Sequence, residues 1–451
     1  MEKKRSSFTG GIGFVLAAAG SAVGLGNLWR FPYLAAQYGG GIFILVYIVL
    51  ALTFGFTLLA TEIGIGRKTK MSPSMAYKKL HPKFGFIGWL STIVPMIILP
   101  YYCVIGGWVV KYMITFLTGN GKVAAGDNYF GSFVGGSTSP LIYFAIYLGI
   151  TAIIILLGVE KGIENMSKFL MPVLLIISVV ISIYIMTLPG AGAGLKYYLL
   201  PDFSKFSLKT VCAAMGQMFY SLSIAMGIMI TYGSYARDDT SLTKSVNQIE
   251  IFDTAVALLA GLMVVPAVYI FSGEAGTKAS GAGLMFITLP KVFEQMKGGM
   301  FIGALFFILV FLAALTSSIS LMEAVVSSIM DRFKVGRIPA CLICLVLSVL
   351  LGVPSSLGNG VWSNITILGM DFLTFFDFIS NNVLMPIVAL ATSIMIGWVL
   401  GADTIIAELT KNNEKLGREK LYRVTIKYIA PVLLVIILVF FTLVQFGVIS
   451  Y

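Results

Sequence analysis

Residues 20–27 read GSAVGLGN and lie near the centre of the first long apolar segment, at about residues 10–37. Three glycines in eight residues weaken a helix there, because each glycine costs about 1 kcal/mol relative to alanine. We therefore expect an unwound stretch with free carbonyl and amide groups. The alternative is close packing of an intact helix, since small residues also favour helix interfaces in membranes.

A second stretch of small and hydroxyl-bearing residues interrupts the sixth apolar segment, where residues 216–227 read GQMFYSLSIAMG. The two interrupted segments are the first members of two five-segment halves, at about 10–188 and 208–400. Interruptions at matching positions of two halves indicate the binding site of an inverted-repeat transporter. Free amides at one half-helix end suit a carboxylate, and free carbonyls at the other suit a cation.

The composition excludes a soluble protein, because 58% of the 451 residues are hydrophobic and only 11% are charged. Runs of about 20 apolar residues cross a bilayer as helices. We predict an all-α polytopic membrane protein that forms one transporter domain over residues 1–451, with eleven transmembrane helices and a 5+5 inverted repeat. The predicted helices are 10–37, 41–66, 87–117, 140–158, 165–188, 208–236, 244–271, 299–330, 338–356, 374–400 and an extra one at 425–448.

Lysine and arginine predict the orientation in the membrane. With the N-terminus in the cytoplasm, 22 of the 31 Lys and Arg residues fall inside and 7 outside, while Arg30 and Lys111 lie at segment ends. We therefore expect a protein of the bacterial inner membrane with its C-terminus outside. The net charge of +11 lies in short loops, which argues against nucleic acid as a partner.

The two long outer loops, at about 189–207 and 272–298, contain apolar residues and predict short helices on the outer face. The four cysteines lie inside apolar segments, so we interpret them as buried, inert thiols, although the spacing of Cys341 and Cys344 would suggest metal or redox chemistry in a soluble protein. His81 is the only histidine and lies in a basic loop, which argues against a histidine proton relay.

Polar residues at mid-membrane depth are candidates for function, since burying them is expensive. The eighth segment contains Thr316, Ser317 and Ser318. Their hydroxyls either bond back to their own helix or complete an oxygen cage for a hard cation. Among the buried acids, Asp253 is a candidate for function, whereas we favour structural hydrogen bonding for Glu62 and Glu323.

Several motifs together resemble the neurotransmitter:sodium symporter family. They are GSAVGLGNLWRFP at 20–32 followed by QYGGG at 37–41, GQMFYSLS at 216–223, ITYGSY at 230–235 and LTSSIS at 315–320. The similarity runs in order along nearly the whole chain and is greatest to bacterial members that carry tyrosine and other hydrophobic amino acids. It implies the leucine-transporter-like fold, the fold from which the rule of paired broken helices is known.

The resemblance also implies residue roles. One sodium ion would be held by the substrate carboxylate together with Ala22, Asn27, Ser221 and Asp253. A second would be held by Gly20, Val23, Ala313, Thr316 and Ser317. The substrate would be bound by Ser21, Ala22, Gly24, Leu25, Gly26, Ile98, Tyr102, Tyr220, Ser221, Ser223, Met226, Ser317 and Leu321.

The gates implied by the resemblance lie on either side of that site. The outer gate would be Arg30 with Asp377, with Asp371 as the alternative acid. The inner gate would be Arg5 with Asp331, supported by Phe8 and Tyr235.

Two departures from better-known members bear on function. Asp253 stands where many members have asparagine, so its carboxylate would supply the negative charge that chloride provides in animal relatives. We therefore expect chloride independence, and a proton on Asp253 would couple transport to pH. Met226 replaces a bulkier phenylalanine, and methionine is flexible, so larger side chains, including aromatic ones, become plausible substrates.

The resulting expectation is a sodium-coupled importer of a hydrophobic or aromatic, tyrosine-like amino acid. It would work by alternating access, without enzymatic activity, as a monomer or weak homo-oligomer. A channel would need a continuous polar pore, whereas the polar groups here collect at one depth. A membrane enzyme would need a catalytic pair at mid-membrane, which the sequence does not offer. A non-transporting receptor could lose the gates, yet all four gate residues are present.

Overall fold

The structure, a computed structural model, describes residues 6–276 and 281–448. Within these residues the fold consists of helices, with two isolated β-bridges, Gly40 to Pro201 and Ile367 to Met370. The helices that build the bundle are, in chain order, α1 (Gly11–Ala22), α2 (Gly26–Gln37), α3 (Gly41–Thr69), α4 (Pro82–Leu117), α5 (Ser139–Leu156), α6 (Val159–Met186), α7 (Leu208–Ser221), α8 (Ile228–Tyr235), α9 (Leu242–Gly273), α10 (Gly299–Phe333), α11 (Arg337–Leu357), α12 (Phe372–Leu400) and α13 (Glu419–Gln445).

Nine of the helices in the described part of the chain are long and apolar enough to cross a membrane, and ten spans result if α1 and α2 count as one. The remaining predicted segment corresponds to α7 and α8, of 14 and 8 residues. Each is short for a bilayer that needs ~20 residues. The polytopic all-α fold is therefore confirmed, while the number of eleven spans stays a prediction.

The first predicted interruption is present as a break between α1 and α2. The two helices are bent by 49° to each other. Val23 ends α1 in an extended conformation, and its N–H donates to the carbonyl of Ala19 at 2.8 Å. The glycine-rich sequence thus unwinds the helix at residues 23–25, as the sequence predicts.

The second interruption is a six-residue link between α7 and α8, at residues 222–227. Ser223, Ala225 and Gly227 have positive φ angles of 53°, 63° and 68°. Residues other than glycine are disfavoured in this region, so Ser223 and Ala225 store backbone strain that the surrounding packing must hold. Such strain is typical of functional sites.

Glycines let α3 and α8 approach closely. A Cβ atom on Gly66 would lie 2.0 Å from the carbonyl oxygen of Ile230, and one on Gly233 would lie 2.4 Å from that of Ile63. Small residues at such contacts allow helix backbones to touch in membrane proteins. This packing fixes α8, and with it the lower end of the link, against α3.

The two long loops on the predicted outer face contain short helices, as expected, among them Ala191–Leu199 and Leu289–Gln295. They are tied to the bundle by tyrosine hydroxyls. Tyr197 donates to the carbonyl of Ala36 at 2.5 Å, and Tyr112 donates to that of Phe286 at 2.7 Å. The loops therefore form a packed layer over one end of the bundle.

The outer surface of the bundle is apolar. Ile153, Phe169 and Leu350 are 62%, 66% and 62% exposed. Lipid contact explains large exposed apolar side chains on long helices, since the bilayer core is itself apolar. The four cysteines are all buried and unbridged.

Candidate functional site

A cavity lies where the two broken helices meet. Of the residues predicted to bind substrate, it is lined by Ser21, Ala22, Gly24, Leu25, Gly26, Ile98, Tyr102, Tyr220, Ser223, Met226, Ser317 and Leu321. Ile228 and Ser320 also line it and were missed. The structure therefore brings residues from four segments of the chain around one cavity.

Ser221, the remaining predicted residue, belongs to a neighbouring cluster around Asp253. The Oδ1 atom of Asp253 accepts hydrogen bonds from Ser221 at 2.7 Å and from the amide of Asn27 at 2.8 Å. Its Oδ2 atom accepts from the hydroxyl of Tyr47 at 3.0 Å. A fully buried carboxylate is thus surrounded by oxygen-bearing groups, which is the kind of ligand set that a hard cation prefers.

The break between α1 and α2 presents backbone groups to the cavity. The N–H of Leu25 donates to the Tyr102 hydroxyl at 3.3 Å, and that of Gly24 donates to the Asn27 side chain at 3.1 Å. Gln217, which sequence reasoning did not single out, donates from Nε2 to the carbonyl of Gly26 at 2.9 Å. The break before α2 therefore brings backbone amides and neutral side-chain groups to one side of the cavity, and each of these amides has a hydrogen-bond partner there.

The five residues predicted for a second cation are only partly assembled. Gly20 lies against Thr316, since a Cβ on Gly20 would be 3.4 Å from the Cβ of Thr316. The Thr316 hydroxyl bonds back to the carbonyl of Ala313 at 3.0 Å. Ser317 instead reaches across to the carbonyl of Ser21 at 3.1 Å. The sequence left open whether these hydroxyls bond to their own helix or complete a cation site. The Thr316 hydroxyl bonds to its own helix.

On the side of the cavity predicted to face outward, Tyr220 and Arg30 lie together. The guanidinium carbon of Arg30 is 5.6 Å from the centre of the Tyr220 ring. Tyr220 lines both the main cavity and a second, smaller cavity that Arg30 also lines. Tyr220 therefore separates the two spaces.

Asp377, rather than Asp371, is the acid near Arg30. The charge of Arg30 acts on the Asp377 carboxylate, which also accepts hydrogen bonds from Asn381 at 2.7 Å and from Tyr101 at 3.2 Å. Asp371 caps the start of α12 by accepting from the N–H of Thr374 at 3.0 Å. The assignment of Asp377 to the outer gate stays a prediction, and its support is the charge interaction with Arg30.

The predicted inner gate is described only in part, since Arg5 lies outside the described residues. Its partner Asp331 accepts from the N–H of Ser72 at 2.7 Å. Phe8 is buried among aromatic rings, with ring centres 5.8 Å from Tyr232 and 6.2 Å from Tyr235. The N–H of Phe8 also donates to the carbonyl of Tyr235 at 3.0 Å.

Two buried acids at this end have partners that sequence reasoning did not name, although structural hydrogen bonding was favoured for Glu323. Arg337 binds the buried Glu323 at 2.7 Å, and Glu323 also accepts from the hydroxyl of Tyr235 at 2.6 Å. Glu164 accepts from the N–H of Thr9 at 2.8 Å, and its side chain is fully buried. The segment around Phe8 and Thr9 therefore closes this end by bonds to α6 and α8.

Glu62 has the structural role that the sequence favoured. Its Oε1 atom accepts the N–H of Ala225 at 2.6 Å. Ala225 lies in the strained link between α7 and α8. The carboxylate thereby holds the link in place beneath the cavity.

Comparison with known proteins gives a consistent set of relatives. The profile of the sodium:neurotransmitter symporter family matches residues 5–130 and 132–451. An uncharacterized sodium-dependent transporter of Bacillus subtilis is 34% identical over 460 residues, covering 100% of both chains. One of Haemophilus influenzae is 31% identical, covering 97% of this chain and 98% of its own. The rat sodium- and chloride-dependent GABA transporter 2 is 26% identical, covering 89% of this chain and 74% of its own.

A solved structure shows the same fold. The crystal structure of MhsT in complex with L-phenylalanine superposes with a TM-score of 0.88 at 35% sequence identity. The match covers 96% of this chain and 99% of MhsT.

Proposed function

The chain belongs to the sodium:neurotransmitter symporter family, and from this premise we propose that it imports an amino acid together with sodium ions by alternating access. The observation that carries the proposal is the cavity at the two helix breaks, directly beside the oxygen cluster of Asp253. Substrate and cation would then share a boundary, so their affinities would be thermodynamically linked.

The proposed substrate is a hydrophobic or aromatic, tyrosine-like amino acid. Its carboxylate would lie at the start of α2, where the N–H of Leu25 and the hydroxyl of Tyr102 meet. Its side chain would contact Ile98, Met226 and Leu321, which give the cavity apolar walls. The L-phenylalanine bound in the structurally similar MhsT supports this size and class.

Two sodium sites are proposed. The first would use Ala22, Asn27, Ser221 and Asp253, and its support is the short hydrogen-bond distances that already join three of these side chains. The second would use Gly20, Val23, Ala313, Thr316 and Ser317, supported by the contact of Gly20 with Thr316. The Thr316 hydroxyl donates its proton to the Ala313 carbonyl, and its lone pairs would remain to bind the ion in the second site.

Chloride independence follows from the charge of Asp253. The fully buried carboxylate accepts hydrogen bonds from Asn27, Ser221 and Tyr47, and all three of these side chains are neutral. An entering cation would therefore find its counter-charge on the protein, and no chloride ion would be needed to supply one. The same carboxylate is the group through which a proton would couple to transport.

The gates would open in turn. Tyr220 and Arg30 with Asp377 would close the outer side, and Phe8 with Tyr235 and Asp331 would close the inner side. One charge that moves through 100 mV gains ~2.3 kcal/mol, and the sodium concentration gradient adds to it.

We propose that the protein lies in the bacterial inner membrane, with its N-terminus in the cytoplasm and its C-terminus outside. We further propose that it consists of two inverted repeats with one extra helix and is a monomer or weak homo-oligomer.

Uptake into proteoliposomes tests the function. A labelled amino-acid mixture is presented under an inward sodium gradient, with potassium as the cation control and gluconate replacing chloride. We expect sodium-dependent uptake that is unchanged in gluconate. Equal uptake in sodium and potassium would rule out sodium coupling, loss of uptake in gluconate would rule out chloride independence, and current far above substrate flux would indicate a channel.

A further inference from the structure

Four serine hydroxyls gather at the cavity, on Ser21, Ser223, Ser317 and Ser320. All four side chains are buried, and Ser320 is 0% exposed. They come from the end of α1, the link between α7 and α8, and the middle of α10. Only Ser21, Ser223 and Ser317 belong to the substrate-binding set implied by the sequence.

The hydroxyl protons are used within the protein. Ser223 and Ser317 both donate to the carbonyl of Ser21, at 3.0 and 3.1 Å. Ser320 donates to the carbonyl of Ser317 at 2.8 Å. Ser21 then donates to Ser223 at 3.1 Å or to Ser320 at 2.7 Å. Because each hydroxyl oxygen has two lone pairs, the cluster keeps spare acceptors after all its donors are satisfied.

The rest of the cavity wall is largely apolar, with Ile98, Met226, Ile228 and Leu321 among its residues. An apolar wall combined with hydrogen-bond acceptors fits a side chain that has an apolar body and one polar donor. A hydrocarbon side chain at the same place would bury the acceptors without a partner, which weakens binding. Sites that hydrogen-bond a substrate hydroxyl discriminate against the analogue that lacks it.

We infer that the serine cluster selects amino acids whose side chain carries a hydrogen-bond donor, and that Ser320 is a specificity-determining residue. This inference rests on the proposed function. It places tyrosine above phenylalanine as a substrate, although the two have nearly the same apolar body. The competing use of the same acceptors is to bind the ammonium group that every amino acid carries, which would give no selectivity between side chains.

Competition for sodium-dependent uptake by the unaltered protein separates these uses. The competitors are tyrosine and 4-aminophenylalanine, which carry a donor, and phenylalanine and 4-fluorophenylalanine, which do not. We expect tyrosine and 4-aminophenylalanine to inhibit uptake at roughly 2- to 10-fold lower concentrations than phenylalanine and 4-fluorophenylalanine. This is the range that one net hydrogen bond provides. Equal competition by all four would overturn the inference while leaving amino-acid transport established, whereas absence of any sodium-dependent uptake would overturn the proposed function itself.

The variant Ser320→Ala assigns the selectivity to its residue. It should lower the tyrosine-to-phenylalanine preference toward one, because tyrosine uptake falls more than phenylalanine uptake. The matched control is Ser318→Ala, because Ser318 is also buried on α10 but bonds to Leu315 and Thr151. The control should keep the preference. An equal loss for both substrates in Ser320→Ala would assign the hydroxyl to the ammonium group and refute the selective role.

Discussion

Replacing Asp253 by asparagine tests the proposed first sodium site most directly. Asparagine has nearly the same shape and keeps an oxygen for the donors Asn27 and Ser221, which lie 2.8 and 2.7 Å away. It removes the charge, and its NH2 group takes the place of Oδ2, to which Tyr47 donates. Alanine would instead leave three buried donors without an acceptor, at about 1–3 kcal/mol each, so its effect would mix folding with function.

The size of the effect follows from Coulomb's law. A cation ~4 Å from a carboxylate gains about 4 kcal/mol at an effective dielectric constant of ~20. The amide oxygen of asparagine retains part of that attraction as a dipole. We therefore expect a loss of about 2–4 kcal/mol, which raises the sodium concentration for half-maximal uptake roughly 30- to 700-fold.

The assay is uptake into proteoliposomes as a function of sodium concentration, together with thermal unfolding in sodium and in potassium. Bound sodium stabilises the folded state, so the sodium-dependent rise in Tm should shrink in Asp253→Asn. The control Asp371→Asn removes the same charge at the start of α12, where asparagine caps a helix as well as aspartate. An unchanged sodium dependence in Asp253→Asn would refute the assignment of this carboxylate to a cation site.

Three further changes test other parts of the structure. Gly24→Ala places a methyl group against the hydroxyl oxygen of Ser317 in the cavity and should lower uptake at least ~10-fold with little loss of stability. In the control, Gly149→Ala, the methyl group meets nothing within 4 Å, and this variant should transport normally. Arg337→Met leaves Glu323 buried without its ion pair and should cost about 3–5 kcal/mol, measured as a lower Tm that Glu323→Gln in the same chain partly restores. Hydrogen bonds and charges from two lysines hold the pKa of Asp238 below its ordinary value, so the folded state favours the carboxylate. The contribution of this carboxylate to stability is complete above pH ~4 and is lost as the pH falls through the lower folded-state pKa. Because the group is exposed, we expect Asp238→Asn to remove less than ~1 kcal/mol of that pH dependence. Thermal unfolding as a function of pH measures it.

The sequence predicted the helix breaks well because their cause is local. Glycine clusters and small residues weaken a helix wherever they occur, and the breaks fall at residues 23–25 and 222–227 as expected. Motif resemblance then identified twelve of the residues that line the cavity. Ser320 was missed because a serine on a long apolar helix usually bonds to its own carbonyls, and Ser320 does so as well.

Interactions that close the predicted cytoplasmic end could not be predicted, because their partners are far apart in sequence. Glu164 finds its partner Thr9 only when α6 packs beside the N-terminal segment. The sequence placed the start of this helix at 165, whereas the helix begins at Val159. The additional residues include Glu164, whose buried carboxylate accepts from the amide and the hydroxyl of Thr9.

The attachment of Phe8 and Thr9 to α8 and α6 allows detachment of this segment, the proposed inner gate, to be followed by amide hydrogen exchange. The amide protons of both residues are engaged, one by the carbonyl of Tyr235 and the other by the carboxylate of Glu164. Both protons exchange with solvent deuterium only when this segment detaches. If this segment is the inner gate that we propose, substrate that keeps the gate closed will slow the exchange of both amides together in the unmodified protein.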